Sequence, residues 1–188
     1  MIERLKTLIL ERSFRYSDTP TFRLVCGEMS QFYFNCKPTT LSPEGQYLIG
    51  KLVYDLIKER QVDAIGGLTL GADPIACAVA NESFRQGKPV EAFVVRKKIK
   101  DHGIVAKIEG NVKPGDRVIL VDDVVTTGKS TIEAIEAARE NALHVIGVVA
   151  LIDRQEMNGR ENIEKCAKPF HAVLTVTDIL KDFKRRNL

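Results

Sequence analysis

Two adjacent carboxylates, Asp122 and Asp123, end an apolar run and are followed by a turn of small hydroxyl residues. We call these two residues the acid pair and residues 126–130 the hydroxyl-rich turn. Carboxylates can accept hydrogen bonds from two hydroxyl groups or hold a cation. The free N–H groups at a helix start suit a phosphate, and Gly128 allows close approach of the backbone. The segment therefore predicts a binding site for a phosphate-bearing ligand.

The end of this turn, Gly128-Lys129-Ser130, also matches the end of a P-loop. That motif requires a glycine five residues before Gly128, where this chain has Asp123. Two carboxylates would also repel a triphosphate, so a P-loop is excluded. A plain strand–turn–helix is the remaining alternative, although two acids at a buried strand end are costly without a ligand, a cation or hydrogen bonds.

A second charged segment, which we call the basic loop, runs from Arg96 to Gly103 and has four cations and a histidine against one acid. Lysine-rich runs of this kind are usually solvated loops. The run follows an apolar strand pattern, however, and His102 and Gly103 precede a segment bounded by glycine. These two features favour a loop that acts as a lid and covers a binding site.

A third polar segment, Asp153-Arg154-Gln155-Glu156, also follows an apolar run. A guanidinium fork suits a planar carboxylate. An ion pair between Asp153 and Arg154 at the surface is the alternative interpretation. The position of the segment at a strand end favours a role in binding.

The apolar pattern predicts a fold that brings these segments together. Nearly continuous apolar runs are typical of strands covered on both faces, and they occur at residues 63–67, 90–95, 117–121, 144–151 and 172–176. Helical patterns lie between them, beginning after Ser42-Pro43-Glu44 and spanning 74–85 and 130–141, the last with a capping box from Ser130 to Glu133. The alternation predicts an α/β fold, with a parallel central sheet flanked by helices and ligands beyond the carboxyl ends of its strands. Residues 1–40 are less regular and are expected to form a small flap, with the α/β core at 41–188.

The composition limits the class of protein. The chain has 188 residues, enough for one domain, and 28 basic against 25 acidic residues give a net charge of +3, which does not indicate nucleic acid binding. Its cysteines, Cys26, Cys36, Cys77 and Cys166, form no C-x-x-C pair, so reduced thiols are expected rather than a zinc site. No apolar run is long enough for a membrane span, and the cytoplasm is the expected location.

Residues Val118 to Gly128 resemble the PRPP (phosphoribosyl pyrophosphate) signature of type I phosphoribosyltransferases. The basic loop, Arg-Lys-x-x-Lys-Asp-His-Gly, resembles the catalytic loop of orotate phosphoribosyltransferases, and Asp153 to Glu156 resembles their base-binding segment. Residues Phe22 to Asn35 are similar to the flap of that family. The resemblance implies transfer of the 5-phosphoribosyl group from PRPP to orotate in pyrimidine biosynthesis, with Mg²⁺ as cofactor. It also implies a homodimer with shared active sites.

The resemblance also implies roles for particular residues. The acid pair would bind the ribose hydroxyls, and the hydroxyl-rich turn would bind the 5′-phosphate. The basic loop would bind the pyrophosphate, and its Lys100 and His102 would be catalytic. The implied PRPP-binding residues are Arg96, Lys97, Lys100, His102, Asp122, Asp123, Val124, Val125, Thr126, Thr127, Gly128, Lys129 and Ser130. The implied orotate-binding residues are Thr126, Arg154, Tyr33 and Phe34.

The chain departs from the family pattern at two places. Many members carry a lysine beside the Ser-Gly of the flap, where this chain has Val25, Cys26 and Glu28, and the loop after residue 67 lacks the Tyr-Lys of some members. Two other functions remain as alternatives: a phosphoribosyltransferase for another base, such as a purine, and a PRPP-sensing regulator without enzymatic activity. The intact cations of the basic loop, and the lack of a basic recognition helix in residues 1–40, favour the enzyme.

Overall fold

The computed structural model describes residues 1–24, 27–97 and 107–186. Within them the helices are α1 (Ile2–Arg12), α2 (Lys37–Thr40), α3 (Pro43–Ile57), α4 (Asp73–Arg85), α5 (Lys129–Glu140), α6 (Gly159–Cys166) and α7 (Val176–Arg186). The strands are β1 (Phe14–Tyr16), β2 (Phe22–Arg23), β3 (Met29–Ser30), β4 (Phe32–Phe34), β5 (Ala64–Leu68), β6 (Glu91–Val95), β7 (Ile108–Gly110), β8 (Arg117–Val125), β9 (His144–Asp153) and β10 (Phe170–Thr175).

A six-stranded sheet forms the centre of the fold, in the order β10-β9-β8-β5-β6-β7. The first five of these strands are parallel, which confirms the predicted α/β class. The edge strand β7 pairs antiparallel with β6, a feature that the sequence analysis did not predict. The run predicted at 172–176 lies in β10, but Val176 begins α7 instead of ending the strand.

Two of the central strands are longer than predicted. Strand β8 continues to Val125 and β9 to Asp153, and these two residues lie opposite each other in parallel register. The acid pair therefore lies inside a strand and not after it. This extension fixes the backbone of both acids through the sheet ladder.

Helix starts follow the predictions at one site and depart from them at another. Ser42 caps α3, since its Oγ accepts a hydrogen bond from the Gly45 amide at 3.1 Å. Helix α5 begins at Lys129, with Gly128 as N-cap at φ 79°, and no side chain caps it. The predicted capping box at Ser130 is therefore wrong, because the Ser130 hydroxyl is hydrogen-bonded to a strand residue instead.

Apolar side chains fill both sides of the sheet. Residues of α1, α3, α4 and α7 pack with Ile119 and Val121 on one face, and residues of α5 and α6 pack with Leu120 and Val148 on the other. Helix α1 is part of this main core, since Leu5 and Leu8 are fully buried. The other described elements up to residue 40 are the short helix α2 and two small antiparallel pairs, β1 with β4 and β2 with β3. The division at residue 40 stays a prediction.

Across the described ranges, none of the helices combines the length and the apolar character that a membrane span needs.

Candidate active site

The first acid, Asp122, is buried and accepts three hydrogen bonds. Its Oδ2 accepts from the Ser130 hydroxyl at 2.7 Å and from the Thr131 hydroxyl at 2.8 Å, and its Oδ1 accepts from the Asp123 amide at 3.0 Å. These three donors offset the cost of burying a carboxylate. Thr131 directly follows the hydroxyl-rich turn, and its hydroxyl is bonded to Asp122.

Burial raises the pKa of Asp122 to about 6, and the neighbouring charge of Asp123 acts in the same direction. The hydrogen bonds from Ser130, Thr131 and the Asp123 amide oppose both effects. At neutral pH the group is therefore an ionised acceptor at the end of a parallel strand.

The second acid, Asp123, is half-buried and lies against the loop that follows β5. Its Oδ1 accepts from the Val124 amide at 3.0 Å. A Cβ atom added to Gly71 would lie 2.3 Å from the same oxygen, so a side chain at this position would displace the Asp123 carboxylate. The loop after β5 therefore packs directly on the acid pair.

The hydroxyl-rich turn rests on the first turns of α6. A Cβ on Gly159 would lie 2.3 Å from the carbonyl oxygen of Thr126, and Asn162 Nδ2 donates to the carbonyl oxygen of Thr127 at 3.2 Å. A Cβ added to Gly128 would likewise lie 2.8 Å from Ile163 Cγ1. Helix α6 thus engages the carbonyl side of the turn, while the helix start of α5 supplies N–H groups that can bind an anion. Gly159 and Asn162 were missed because no local motif marks them.

Arg154 is 2% exposed and lies beside the turn, since its amide donates to the carbonyl oxygen of Val125 at 3.0 Å. Its Nε donates to Glu156 Oε2 at 2.9 Å, and NH2 forms an ion pair with the same oxygen at 2.8 Å. NH2 also donates to Ser30 Oγ at 3.2 Å. The guanidinium carbon lies 4.4 Å from the centre of the Phe32 ring. The structure therefore excludes the surface pair with Asp153, whose carboxylate accepts from Gln155 and Arg160 instead.

The aromatic residues of the flap divide into an exposed and a buried set. Tyr33 is exposed and stacks on Phe22, with ring centres 6.0 Å apart. Phe34 is buried and packs on Phe14 at 5.1 Å, so its ring belongs to the core. Phe32, which the sequence analysis did not select, lies nearer to the Arg154 guanidinium than Phe34 does.

The described part of the basic loop begins at the end of β6. The Arg96 amide donates to the Lys107 carbonyl oxygen at 2.9 Å, and Arg96 NH1 donates to Glu109 Oε1 on β7 at 2.6 Å. Lys97 is exposed. Lys100 and His102, predicted to be catalytic, lie outside the described residues.

The oxygen atoms near the acid pair fit a magnesium ion that arrives with a phosphate ligand. Among residues 1–24, 27–97 and 107–186, no group of three or more His, Cys, Asp or Glu side chains could hold a metal alone. Mg²⁺ commonly takes one or two carboxylates plus substrate phosphates and water. Asp123 is one such carboxylate. Asp73, two residues after Gly71, has a buried Oδ1 without a hydrogen-bond partner, and burial raises the pKa of this carboxyl.

The strands therefore bring together most of the predicted site at one edge of the sheet. The acid pair, the hydroxyl-rich turn and Arg154 lie at the adjoining ends of β8 and β9, and Arg96 follows β6. Val124 and Val125 belong to β8, and Lys129 begins α5, where its amide donates to Thr127 Oγ1 at 3.3 Å. Such an edge can hold a ligand with hydroxyl, phosphate and carboxylate groups.

Comparison with known proteins gives relatives across nearly the whole chain. The phosphoribosyl transferase domain family matches residues 42–178. The chain is 49% identical over 178 residues to the orotate phosphoribosyltransferase of Aquifex aeolicus, with 95% of this chain and 97% of that protein covered.

Solved structures of Mycobacterium tuberculosis H37Rv orotate phosphoribosyltransferase are also similar. The complex with Fe(III) dicitrate gives a TM-score of 0.81 at 34% identity, covering 95% of this chain and 98% of the other. The complex with PRPP gives 0.75 at 31% identity, covering 95% and 90%.

Proposed function

This chain belongs to the phosphoribosyltransferase family, within which it is an orotate phosphoribosyltransferase, and we propose that its acid pair and hydroxyl-rich turn bind PRPP. The enzyme transfers the 5-phosphoribosyl group from PRPP to orotate and releases orotidine 5′-monophosphate and pyrophosphate. The observation that supports the PRPP site best is the buried, triply hydrogen-bonded Asp122 beside a helix start.

The ribose and its 5′-phosphate would occupy adjoining parts of this edge. Asp122 and Asp123 would accept from the two ribose hydroxyls, because ionised carboxylates are acceptors only. The 5′-phosphate would bind at residues 124–130, where the turn is held from behind by Asn162 and Gly159. A turn fixed in this way needs little reorganisation when the phosphate binds.

Orotate would bind between Arg154 and the flap. The guanidinium would hold the carboxylate of the base, and Thr126 would donate to the ring. Tyr33 is exposed and can lie over a planar base, whereas Phe34 would act from the core by supporting Phe32. A purine lacks the carboxylate that Arg154 would recognise, and this favours orotate over the purine alternative.

The basic loop would stabilise the departing pyrophosphate. Breaking the bond between C1 and oxygen moves negative charge onto pyrophosphate, and preorganised cations lower this barrier. Arg96 and Lys97 follow β6 at the same edge, and Lys100 and His102 would act further along the loop. Closure would also exclude water from the electron-deficient ribosyl centre.

Mg²⁺ bound at this edge would supply positive charge that offsets the charge of pyrophosphate. Asp123, with water molecules, would hold it on the protein side, and the phosphate oxygens of PRPP would supply most other ligands. The buried Oδ1 of Asp73 supports a cation or a water molecule near this loop.

The reaction is tested by measuring pyrophosphate release from PRPP with orotate, uracil, hypoxanthine or adenine, each with and without Mg²⁺. We expect release with orotate alone, and only with Mg²⁺. Release with a purine would support the second base specificity, and PRPP binding without release from any base would support the regulator.

A homodimer would form through helices α3 and α4. On α4, Phe84 is 76% exposed, and Cys77 lies on the same helix face two turns earlier. Tyr47 of α3 is 49% exposed and lines a groove with Cys77. Exposed aromatic side chains grouped on one face are typical of protein interfaces.

Sedimentation of the parent enzyme and of Phe84→Asp tests the dimer. The parent should sediment as a dimer and the variant as a monomer. Leu56→Asp is the matched control, because Leu56 lies on the opposite side of α3 from Tyr47 and is also exposed. Shared active sites predict that Lys100→Ala and Asp123→Asn subunits, each impaired alone, regain activity at low PRPP when they are mixed. The cytoplasmic location remains a prediction from the sequence.

A further inference from the structure

Two of the three guanidinium nitrogens of Arg154, Nε and NH2, already contact polar side chains of the protein. A guanidinium has five N–H groups. Nε and NH2 share Glu156 Oε2 at 2.9 and 2.8 Å, and NH2 also donates to Ser30 Oγ at 3.2 Å. A bidentate grip on an incoming carboxylate requires two donors on one edge of the fork. NH2 belongs to both edges, the one it forms with Nε and the one it forms with NH1. An incoming carboxylate that binds either edge must therefore displace Glu156 or Ser30 from NH2.

The burial of these two partners indicates which of them leaves. The side chain of Glu156 is 32% exposed and stands in the loop between β9 and α6. Ser30 is 8% exposed and belongs to β3. A carboxylate that leaves its partner must be solvated, and Glu156 has solvent beside it.

A charge balance supports the same conclusion. Arg154 is 2% exposed, and a buried charge without a counter-charge is strongly destabilising. Glu156 supplies the counter-charge when no base is bound. If the carboxylate of orotate bound while Glu156 stayed in place, two anions would share one guanidinium, and like charges at that distance repel each other.

We propose that Glu156 is a counter-ion of Arg154 that the carboxylate of the base displaces when it binds. The proposal rests on the role of Arg154 proposed above. A base without a carboxylate cannot replace the charge of Glu156, so it leaves the ion pair in place. Orotate binding is then an exchange of one carboxylate for another at Arg154. The exchange lowers the affinity for orotate and leaves the affinity for bases without a carboxylate unchanged.

The experiment measures orotate and uracil affinity by calorimetry, together with the KM of each substrate, for the parent, Glu156→Gln and Glu156→Asp. Removing the competing charge should lower the KM and Kd for orotate about five- to tenfold in Glu156→Gln, the scale of one close charge pair. Uracil affinity and the Kd for PRPP should not change. Glu156→Asp keeps the charge at shorter reach and should give a smaller decrease, and it carries the test if Glu156→Gln does not fold.

Two control variants separate the possible failures. Glu161→Gln removes one exposed negative charge on α6 and should leave every constant unchanged. Arg154→Gln should weaken orotate binding; if it does not, the proposed role of Arg154 fails. If Arg154→Gln weakens orotate binding but Glu156→Gln raises or preserves the KM for orotate, Glu156 orients the guanidinium instead, and the counter-ion proposal is overturned.

Discussion

The Thr131 hydroxyl donates a hydrogen bond to Asp122 Oδ2 at 2.8 Å, joining the first turn of α5 to the end of strand β8. Ser130 makes a second bond to the same oxygen at 2.7 Å. Asp122, proposed to bind ribose, and the helix start proposed to bind phosphate therefore form one hydrogen-bonded unit. A change in either partner should alter both stability and PRPP binding.

Thr131→Val removes this hydroxyl and keeps the shape of the side chain. It leaves a buried carboxylate with one donor fewer, and we expect the free energy of unfolding to fall by about 1–2 kcal/mol. The KM for PRPP should rise, while the Kd for orotate stays near that of the parent. Chemical denaturation and steady-state kinetics measure the two effects, and Thr131→Ser, which keeps the hydroxyl, is the control. Equal stability of Thr131→Val and the parent would show that the bond contributes nothing.

The pKa of Asp122 predicts an unusual dependence of stability on pH. Its pKa is about 6 in the folded protein against a reference of 3.8, so between these values the folded state binds a proton that the unfolded state does not. Lowering the pH from 7 to 4 therefore adds up to about 3 kcal/mol to the free energy of unfolding through this group. Asp122→Asn lacks the effect. The difference in unfolding free energy between parent and variant should thus grow in favour of the parent as the pH falls, and a flat difference contradicts the raised pKa.

Asn162 should act as a positioning residue for the phosphate. Asn162→Asp replaces the amide that donates to the Thr127 carbonyl oxygen with a carboxylate that cannot donate. We expect the KM for PRPP to rise about tenfold, the scale of one lost hydrogen bond plus repulsion, with little change in the Kd for orotate. Asn141→Asp is the matched control, since Asn141 makes the same kind of bond to the Ala137 carbonyl at the far end of α5. If both variants had similar KM values for PRPP, Asn162 would not position the phosphate-binding turn.

Local signals predicted the parts of this fold that local chemistry decides. Ser42 and Pro43 start α3 as expected, because the cap and the first turn lie within four residues of each other. Ser130 shows the opposite case: its spacing from Glu133 fits a capping box, but the buried carboxylate of Asp122 competes for the same hydroxyl. A tertiary partner of this kind cannot be read from spacing alone.

The candidate site also divides into residues that a local motif marks and residues that only the tertiary structure brings in. The acid pair and the hydroxyl-rich turn are contiguous in sequence, so their motif could be read directly. Gly159 and Asn162 support that turn from more than thirty positions away, as the distance between Thr127 and Asn162 in the chain shows. The choice between Phe32 and Phe34 depends on the pairing of β4 with β1, where Phe34 lies opposite Phe14. Phe32 and Phe34 face the same side of β4, so their positions along the strand separate them: Phe34 lies opposite the buried Phe14, and Phe32 lies opposite the partly buried Tyr16.

Asp123→Asn should weaken PRPP binding because the amide is a poorer acceptor and carries no charge for Mg²⁺. We expect a rise in the Kd for PRPP of about ten- to one hundredfold, the scale of a hydrogen bond to a charged group. Calorimetry with PRPP and Mg²⁺ measures it directly. Asp116→Asn is a control at the amino end of β8, away from the acid pair. Unchanged affinity in Asp123→Asn refutes the ribose assignment.

Lys100→Ala should lower turnover by about 10²–10³-fold, the usual effect of removing one group that stabilises charge in the transition state. The reason lies in the reaction: pyrophosphate gains negative charge as the C1–O bond breaks, and Lys100 in the basic loop would offset that charge. The KM for orotate should change little, because orotate carries no part of the leaving group. Lys113→Ala, an exposed lysine on the loop before β8, serves as the control and should keep full turnover. Near-normal turnover of Lys100→Ala in a steady-state assay with saturating PRPP and Mg²⁺ would exclude Lys100 from catalysis and leave Arg96, Lys97 and His102 as the candidate groups.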